Sequence, residues 1–456
     1  MNQILSKNLS NTNIINNKFS DFGLNTKLLE NISYLGYTTP TAIQNKSIPA
    51  ILNGYDVIAS SQTGTGKTAA FLIPIIQKII HLSNPSMSPA KHQIKVLILT
   101  PTRELASQIH ENIIKYCNNT MLRSCVIFGG VNFEEQNKIL HSGCEILVAT
   151  PGRLIDHIKS SNINFNYLSF FVLDEADKML DMGFSYYVEQ IIQALPVNKQ
   201  TILFSATFNK EINKLSQAYL KNPIEIKLND FNTIADTIKQ TIYIAESKDL
   251  RKNTILYLLK NHTWRKVILF ANKKSDVYEL NKFLSDANIS SDFLHSGKSQ
   301  KDRNTTINAF KNDQFNVLVA TDVASRGLDI LVSCVINYDI TSTLEDYIHR
   351  IGRTGRAGIK GESISFCFQK DEKIINNIKL ISKENVNIKY LSNKKDLLNL
   401  DLINKYSIQN SEKCVLLNDN NKIINQILDS NYSNIQNKKQ NNFSNQKAIL
   451  LGGKSL

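Results

Sequence analysis

Residues 61–68, Ser-Gln-Thr-Gly-Thr-Gly-Lys-Thr, constrain the fold of this chain more than any other stretch. They follow the short apolar run 57–59 and precede the apolar, helix-like segment 69–72. A strand, a glycine-rich turn and a helix N-terminus in this order direct several backbone N–H groups at one point, where the helix dipole also favours negative charge. The stretch therefore predicts a phosphate-binding loop, the alternative being an ordinary glycine-rich turn that happens to precede a lysine.

Two side chains of this loop have defined uses in nucleotide chemistry. Lys67 would reach the β- and γ-phosphates as a point charge, and the Thr68 hydroxyl would take one position on a magnesium ion. Ser61 stands where such loops usually open with glycine or alanine, and its small side chain keeps the turn tight. The predicted nucleotide-binding residues are Ser60, Ser61, Gln62, Thr63, Gly64, Thr65, Gly66, Lys67 and Thr68.

The length of the chain limits how many domains it can form, and its net charge limits the kind of partner. The chain has 456 residues, which suggests two domains and some additional length at roughly 100 to 200 residues per domain. Hydrophobic residues make up 42% of the chain, so a sizeable core can form. The formal net charge of +13 indicates a polyanionic partner, and charge alone leaves both nucleic acid and an anionic membrane surface open.

The sequence also bears on compartment and metal content. No segment reaches the roughly 18 consecutive apolar residues of a membrane span, and the first residues lack the apolar run of a signal peptide. We therefore expect a cytoplasmic protein that does not associate with a membrane. The six cysteines include no Cys-x-x-Cys pair, so we expect neither a metal cluster nor a disulfide framework.

Two apolar runs of strand length, 96–99 and 146–149, end in the pattern Thr-Pro-x-Arg. The carboxyl ends of parallel strands meet at one edge of a sheet, where hydroxyl and guanidinium groups suit the phosphates of a nucleic-acid strand. Turn initiation and helix capping by Thr-Pro is the alternative. A glycine pair after a third run allows close approach of a ligand, or forms only a tight turn. The candidate nucleic-acid contacts here are Thr102, Arg103, Gly129, Gly130, Thr150 and Arg153.

Carboxylates follow the next apolar run, 170–173, in the sequence Asp-Glu-Ala-Asp. Downstream of a phosphate loop, the end of a buried strand is where an NTPase needs them. Asp174 would hold Mg²⁺, and Glu175 would orient or deprotonate the attacking water. A helix N-cap region is the alternative. Further on, the hydroxyls of Ser205 and Thr207 could tie the carboxylate turn to a partner surface. The candidates for interdomain coupling are Asp177, Ser205 and Thr207.

An adenine site is also indicated, more weakly. Gln44 carries a donor and an acceptor on one planar amide, which suits bidentate pairing with an adenine edge. Phe19 or Tyr37 could stack on the ring. An ordinary surface glutamine at the start of a helix is the alternative.

Taken in order, these motifs resemble those of the DEAD-box RNA helicases. The shared motifs are Gln44, the loop 61–68, Pro-Thr-Arg-Glu-Leu-Ala at 101–106, Thr-Pro-Gly-Arg at 150–153, Asp-Glu-Ala-Asp at 174–177 and Ser-Ala-Thr at 205–207. The resemblance implies an α/β protein with two tandem RecA-like parallel-sheet domains, which hydrolyses ATP with Mg²⁺ and acts on single-stranded and short duplex RNA. The chain is most similar to the bacterial RhlE type, through 128–132 and 181–184.

Strand and helix patterns alternate again in the second half. Apolar runs at 267–270, 315–320 and 334–338 and helix-like stretches at 275–287 and 301–310 predict a second parallel α/β domain. The predicted organisation is a flexible N-terminus at 1–18, an ATP-binding domain at 19–229, a linker at 230–240, a second RecA-like domain at 241–388 and a disordered, Asn- and Lys-rich tail at 389–456.

Arg350, Arg353 and Arg356 repeat at every third residue around two glycines. They are explained either by a solvated basic helix end or by a set of arginine fingers. A guanidinium from a second domain would stabilise charge developing on the γ-phosphate, so hydrolysis would require the domains to close. The family resemblance assigns the finger role to Arg353 and Arg356. It also places Asp329 near the ribose and Thr321 near RNA.

An ATP-dependent RNA helicase that separates short duplexes locally is the main hypothesis. An ATP-gated RNA clamp or assembly scaffold would carry the same catalytic residues. A DNA translocase of the same superfamily is disfavoured by Gln44, which resembles the family's adenine-reading glutamine. Protein partners in ribonucleoprotein or RNA-degradation machinery would fit this class, although no residue pattern selects them.

Overall fold

The computed structural model describes residues 18–60, 65–228, 237–322, 330–355, 359–382 and 385–391. The predicted flexible N-terminus, apart from residue 18, and the predicted tail beyond residue 391 lie outside these ranges. The same holds for several predicted site residues, namely Ser61, Gln62, Thr63, Gly64, Asp329 and Arg356.

The first domain, residues 19–228, contains a seven-stranded sheet in which every strand pairs parallel with its neighbours. Its strands are β1 (Val57–Ser60), β2 (Val96–Leu99), β3 (Ser124–Ile127), β4 (Ile146–Ala149), β5 (Phe170–Leu173), β6 (Gln200–Ser205) and β7 (Ile224–Lys227). They lie in the order β3-β4-β2-β5-β6-β1-β7. Most of the predicted strands in this half lie within one residue of these bounds.

Helices connect these strands on both faces of the sheet. They are α1 (Thr26–Tyr34), α2 (Ala42–Leu52), α3 (Lys67–Ile79), α4 (Arg103–Tyr116), α5 (Phe133–His141), α6 (Pro151–Lys159), α7 (Ala176–Asp181), α8 (Ser185–Ala194) and α9 (Lys210–Tyr219). Short 3₁₀ turns occur at Phe19–Phe22, Ile80–Leu82 and Pro89–Lys91.

The second domain, residues 237–391, contains another seven-stranded parallel sheet. Its strands are β8 (Ile238–Ala245), β9 (Val267–Phe270), β10 (Ser291–Leu294), β11 (Val317–Ala320), β12 (Cys334–Asn337), β13 (Gly361–Cys367) and β14 (Val386–Leu391). Its described helices are α10 (Lys248–Asn261), α11 (Lys274–Asp286), α12 (Gln300–Lys311), α13 (Leu344–Ile351) and α14 (Glu372–Ile381), with a 3₁₀ turn at Gln369–Asp371.

The strands form where they do because each apolar run is covered on both faces, as parallel sheets require. In β1, Val57 and Ala59 belong to the core under α3 and α4, whereas Ile58 belongs to the opposite core, which includes Met179 of α7 and Ile191 of α8. Continuous apolar runs rather than alternating ones follow from this two-sided burial.

The two domains share one topology. The second sheet lies in the order β10-β11-β9-β12-β13-β8-β14. If each domain's strands are numbered from its own first strand, both sheets read 3-4-2-5-6-1-7. This arrangement confirms the predicted fold class of two tandem RecA-like α/β domains. None of the helices in the described ranges is long and apolar enough to cross a membrane.

Two element boundaries differ from the sequence prediction. β8 begins at Ile238, inside the range 230–240 predicted as a linker, and β14 ends at Leu391, beyond the predicted domain end at 388. The two strands pair with each other, and Ile242 of β8 is fully buried. β8 contains three consecutive polar residues at 239–241, and β14 has polar residues at 387 and 389, so neither has the continuous apolar run on which the strand predictions rested.

Candidate nucleotide and nucleic-acid site

The phosphate loop joins β1 to α3 as predicted from the order of its residues. Gly66 has φ +90°, a left-handed conformation, directly before the first helical residue, Lys67. A Cβ at Gly66 would lie 2.4 Å from the amide nitrogen of Gln44, so both backbone conformation and space require glycine here. Thr68 lies in the first turn of α3, partly exposed, while Ser60 at the end of β1 is fully buried.

Gln44 braces this loop. Its Nε2 donates to the backbone oxygen of Gly66 at 3.1 Å, and its Oε1 accepts from the backbone nitrogen of Thr41 at 2.9 Å. The side chain is 2% exposed. Gln44 is therefore tied to the phosphate loop itself, and its role in reading adenine stays a prediction.

The two aromatic candidates for adenine stacking differ in access. Phe19 is 4% exposed and packs edge to face with Phe22 at 6.3 Å between ring centroids. Tyr37 is 44% exposed and stacks on Tyr116 at 6.4 Å. Tyr37 therefore presents more ring surface than Phe19, and stacking of either ring on adenine stays a prediction.

The carboxylates meet Lys67 at the carboxyl-terminal edge of the first sheet. Asp174 and Glu175 directly follow β5, Lys67 begins the helix after β1, and β6 lies between these two strands. All three side chains are at least 93% buried, with exposures of 3%, 7% and 7%. Glu175 has φ +52°, and its backbone N–H donates to Asp174 Oδ1 at 3.0 Å. A left-handed residue other than glycine is a strained conformation, of the kind that clusters at functional sites.

The pKa values of these groups reflect burial and mutual charge. Burial lowers the pKa of Lys67, although Asp174 and Glu175 oppose the effect. Burial raises the pKa of Asp174 to about 7, against the attraction of Lys67. Such perturbed groups in one place are typical of functional sites.

Glu175 differs from its neighbour. Burial would raise its pKa, but the charges of Lys178, Lys67 and Arg353 together outweigh burial and lower it. Its Oε1 accepts from Lys178 Nζ at 3.1 Å, whereas its Oε2 is buried and has no hydrogen-bond partner among the residues that the structure describes. An ionised carboxylate with one unused oxygen can accept a hydrogen bond from a water molecule.

Arg353 and Arg350 have different surroundings. Arg353 follows α13 in the second domain, is 6% exposed, and its charge contributes to the low pKa of Glu175 in the first domain. Arg350 lies within the second domain, where its guanidinium donates to Asp322 at 2.5 and 2.6 Å and to Asn272 at 2.6 Å. Arg350 therefore stabilises its own domain, while Arg353 acts electrostatically on the carboxylate turn.

The predicted coupling residues lie together. Asp177 Oδ2 accepts from the backbone nitrogen of Ala206 at 3.0 Å and from the Thr207 hydroxyl at 3.3 Å. The Ser205 hydroxyl donates to the Thr207 backbone oxygen at 2.7 Å. The carboxylate turn and the turn after β6 are thus one hydrogen-bonded unit, so a shift of one moves the other.

A cavity of about 320 Å³ opens between the two domains along the Thr-Pro-x-Arg edge. Thr102 caps α4 by accepting from the backbone nitrogen of Leu105 at 3.3 Å. The cavity combines predicted nucleic-acid contacts with second-domain residues that were not predicted. The first domain contributes Thr102, Arg103, Gly129, Thr150 and Arg153, and the second contributes Ser296, Lys298, Gln300 and Arg303.

The glycine pair is shaped around Arg103. Gly130 has φ +80°, and a Cβ there would lie 2.0 Å from Arg103 Nη1. At Gly129 the added atom would lie 3.5 Å from Arg103 Nη2, an ordinary contact. The predicted close approach is thus to a side chain of this chain, Arg103, which lines the cavity.

Thr321 follows β11 at the carboxyl-terminal edge of the second sheet and is 8% exposed. Its backbone nitrogen donates to the Leu294 oxygen at 3.2 Å, which continues the pairing of β10 with β11. Its predicted contact with RNA stays a prediction.

The match to known families decides the assignment. The DEAD/DEAH box helicase model matches residues 41–215, and the helicase conserved C-terminal domain model matches residues 250–358. The DEAD-box ATP-dependent RNA helicase RhpA of Helicobacter pylori is 44% identical over 348 residues, covering 76% of this chain and 69% of that protein. The chain belongs to the DEAD-box RNA helicase family.

Solved structures of DEAD-box proteins and related helicases match the arrangement of both domains. S. cerevisiae Dbp5 bound to RNA and ADP BeF3 has a TM-score of 0.75 at 29% identity, covering 86% of this chain and 99% of that one. Mss116p, with its NTE and C-tail deleted and bound to ssRNA and AMP-PNP, has a TM-score of 0.75 at 27% identity, covering 88% of each chain. The predicted family and the predicted class of enzyme, an ATP-dependent RNA helicase, are confirmed.

The sequence reasoning on this DEAD-box protein missed a contact that joins its two domains. Arg303 donates to Glu104 Oε1 from Nη2 at 2.6 Å and from Nε at 2.9 Å, and both side chains are 8% exposed. Gln300 also joins the two domains: its Oε1 accepts from Arg103 Nη1 at 3.2 Å, and its Nε2 donates to Glu104 Oε1 at 3.3 Å. In the sequence, only the spacing of Gln300 and Arg303 by three residues could have indicated this contact, because it puts them on one face of a helix.

Arg153, which lines the cavity between the two domains, is positioned by hydrogen bonds and by two stacked aromatic rings. Its Nη1 donates to the Val131 oxygen at 3.0 Å and to Gln136 Oε1 at 2.9 Å. Its guanidinium lies over the Phe133 ring at 5.7 Å, and Phe133 stacks on His157 at 4.1 Å with 9° between the planes. Neither ring nitrogen of the fully buried His157 has a hydrogen-bond partner within the described ranges.

This stack predicts an acid-sensitive stability. Burial, assisted by the charge of Arg153, lowers the pKa of His157. A histidine whose folded pKa lies below its unfolded value of about 6.5 contributes stability that is present above that value and lost as pH falls through the folded pKa. The melting temperature should therefore fall between about pH 7.5 and pH 5 by a few degrees more in the wild type than in His157→Phe, measured by circular dichroism. The control His81→Gln, at an exposed histidine, should show the same pH dependence of the melting temperature as the wild type. Identical pH profiles for the wild type and His157→Phe would show that His157 does not cause the loss of stability in acid.

Proposed function

We propose that this chain hydrolyses ATP when single-stranded RNA lies across its two domains and that domain closure locally separates short RNA duplexes. The observation that carries this proposal is the convergence of Lys67, Asp174 and Glu175 at one sheet edge, with the charge of Arg353 from the other domain acting on Glu175. These groups supply what phosphoryl transfer needs, namely positioning and stabilisation of charge.

Each residue has one task in the proposed reaction. Lys67 holds the β- and γ-phosphates, and Oε2 of Glu175, which has no partner in the described part of the chain, accepts a hydrogen bond from the attacking water and orients it. Arg353 stabilises the charge that develops on the γ-phosphate. Thr68 and Asp174 would hold Mg²⁺, since both offer the oxygen ligands that it prefers. When bound, the ion neutralises phosphate charge.

Coupling to RNA follows from the placement of the two sites. Thr102 and Arg103 lie on one side of the cavity, and Lys298 and Arg303 lie on the other. RNA held by both sides stabilises the arrangement in which Arg353 acts on the carboxylate turn. RNA therefore favours the hydrolytic state, and release of phosphate removes the negative charge that attracts Arg353.

The test compares ATP turnover without nucleic acid, with single-stranded RNA and with DNA of the same sequence and length. We expect turnover to rise with RNA well above its value with DNA. Equal stimulation by DNA would defeat the substrate assignment. Displacement of a short RNA strand in the presence of ATP separates helicase action from ATP-gated clamping, because a clamp retains both strands.

The contact between Glu104 and Arg303 gives a prediction about coupling. In a double-mutant cycle, Glu104→Gln and Arg303→Gln should each lower RNA-stimulated kcat/KM, and the double variant should show a coupling energy of about 0.5–3 kcal/mol. The reason is that each single change leaves one buried partner unpaired.

The matched control is a second ion pair. Arg265 Nη2 lies 2.7 Å from Asp313 Oδ2 within the second domain, with side-chain exposures of 78% and 40%. The same cycle on this exposed pair should leave RNA-stimulated turnover unchanged. Strictly additive effects at Glu104 and Arg303 would show that their contact does not couple the domains.

We also propose an RhlE-type subfamily and a cytoplasmic location. The subfamily proposal is supported by the residues 128–132, Phe-Gly-Gly-Val-Asn, and 181–184, Asp-Met-Gly-Phe. Fractionation of cells with an antibody against the chain tests the location, and a membrane-bound pool would contradict it.

A further inference from the structure

An aromatic cluster extends from the cavity along the surface of the first domain. Phe184 lines the cavity together with Gly152 and Arg153. Tyr187 lies 6.2 Å from Phe184 between ring centroids, and Tyr186 lies 6.0 Å from Tyr187. The three rings, called here the aromatic extension, therefore form a continuous path from the cavity to solvent.

The aromatic extension becomes more exposed along this path. Phe184 is half-buried against the core, Tyr187 is 37% exposed and Tyr186 is 65% exposed. The ring planes meet at 58° and 63° rather than in parallel, so the rings do not cover one another by face-to-face stacking. Tyr186 thus leaves most of its ring open to a ligand.

The tyrosines are held on rigid structure. Both lie in the first turn of α8, and α8 packs against α6, the helix that begins at the cavity with Gly152 and Arg153. The hydroxyl of Tyr186 accepts from Gln190 Nε2 at 2.9 Å, which fixes the side chain along the helix. A pre-positioned ring loses less conformational entropy when it binds a ligand than a free one.

We propose that the aromatic extension stacks bases of single-stranded RNA where the strand leaves the cavity. This inference rests on the proposed function, because it assumes that the cavity holds RNA. The basic side chains Arg103, Arg153 and Lys298 bind the backbone within the cavity. Beyond it, aromatic rings offer the stacking surface that sequence-independent single-strand binding uses.

The occupant is RNA rather than a protein because the cluster is continuous with the cavity through Phe184. The extension lengthens the binding site without adding charge. It therefore predicts an affinity that rises with RNA length and a salt dependence set by the cavity alone.

The experiment uses the full chain with AMP-PNP and a length series of fluorescent oligouridines. In the wild type, affinity should rise with length until the strand covers the aromatic extension. In the double variant Tyr186→Ala/Tyr187→Ala, the affinity for long strands should fall by roughly five-fold or more, the scale of one lost base stack. The affinity for the shortest strand that binds should not change.

Three controls isolate stacking. Tyr186→Phe/Tyr187→Phe should retain most of the wild-type length dependence, since stacking needs the ring, although the variant loses the contact of the Tyr186 hydroxyl with Gln190. Tyr34→Ala removes a tyrosine that is 90% exposed on α1 and should have no effect. Long strands whose distal nucleotides lack bases should bind the wild type no better than they bind the alanine variant.

The outcomes separate this inference from the proposed function. If the wild type binds no RNA, both the proposed function and this inference are wrong. If the wild type binds RNA but the alanine variant shows the same affinities at every length, the inference fails alone and the aromatic extension serves another partner, such as a protein. A reduced slope of log affinity against log salt in the alanine variant would also overturn it, because stacking releases no counterions.

Discussion

We expect Arg353→Ala to retain ATP binding and to lower RNA-stimulated ATP turnover by roughly 10³-fold or more, the scale of a removed arginine finger. The guanidinium lies 94% buried in the second domain, and its charge reaches Glu175 in the first. In the proposed mechanism, its removal leaves Lys67 and Thr68 in place but takes away the charge that would stabilise the transition state. Turnover with saturating RNA measures the loss, and binding of a fluorescent ATP analogue measures what is kept.

The matched control is Arg265→Ala, which removes an exposed arginine from the same domain and should leave turnover unchanged. Arg353→Lys should recover little activity, because an ammonium cannot reproduce the planar fork of the guanidinium. Normal turnover in Arg353→Ala would show that hydrolysis does not depend on the second domain's arginine, and the proposed switch would be wrong.

We expect Lys67→Ala to abolish ATP binding and to lower turnover by at least roughly 10²–10³-fold, the scale quoted for one preorganised donor. Lys67 is 7% exposed, and its charge, together with that of Lys178, opposes the charges of Asp174 and Glu175. Without it, two buried carboxylates face the phosphates with no opposing charge from the loop. Calorimetry with ATP measures the binding, and phosphate release measures the turnover.

The control is on the same helix. Lys78→Ala removes an exposed lysine from the last turn of α3 and should bind ATP like the wild type. Near-ultraviolet circular dichroism of Lys67→Ala establishes that the variant is folded. If a folded Lys67→Ala protein bound ATP as tightly as the wild type, the assignment of residues 61–68 as a phosphate-binding loop would be wrong.

The strands that the sequence predicted well are the continuous apolar ones. β2, β4, β5 and β9 have the predicted bounds, because a strand covered on both faces needs apolar residues at every position. β8 and β14 were not predicted for the converse reason, and β7, β10 and β13 were not predicted either. The polar residues of β8, at 239–241, and of β14, at 387 and 389, are compatible with a strand only where the sheet supplies neighbours.

The site shows the same division. The phosphate loop and the carboxylates were predictable, because their chemistry is local and their spacing is fixed by a strand, a turn and a helix. The bond from Gln44 to Gly66 joins residues that are 22 positions apart, and the pair of Glu104 with Arg303 joins residues that are 199 apart. No local sequence pattern indicates a contact between residues that are so far apart in the chain.

The sequence by itself determined which residues can bind phosphate, hold a metal or carry a guanidinium, since those properties belong to side chains and to short backbone segments. Only the tertiary structure decided that Arg350 stabilises its own domain while Arg353, three residues later, acts on Glu175. Arginines in one motif are chemically identical. Their surroundings differ because folding buries one against Asp322, whereas the charge of the other contributes to the lowered pKa of Glu175 after the first sheet.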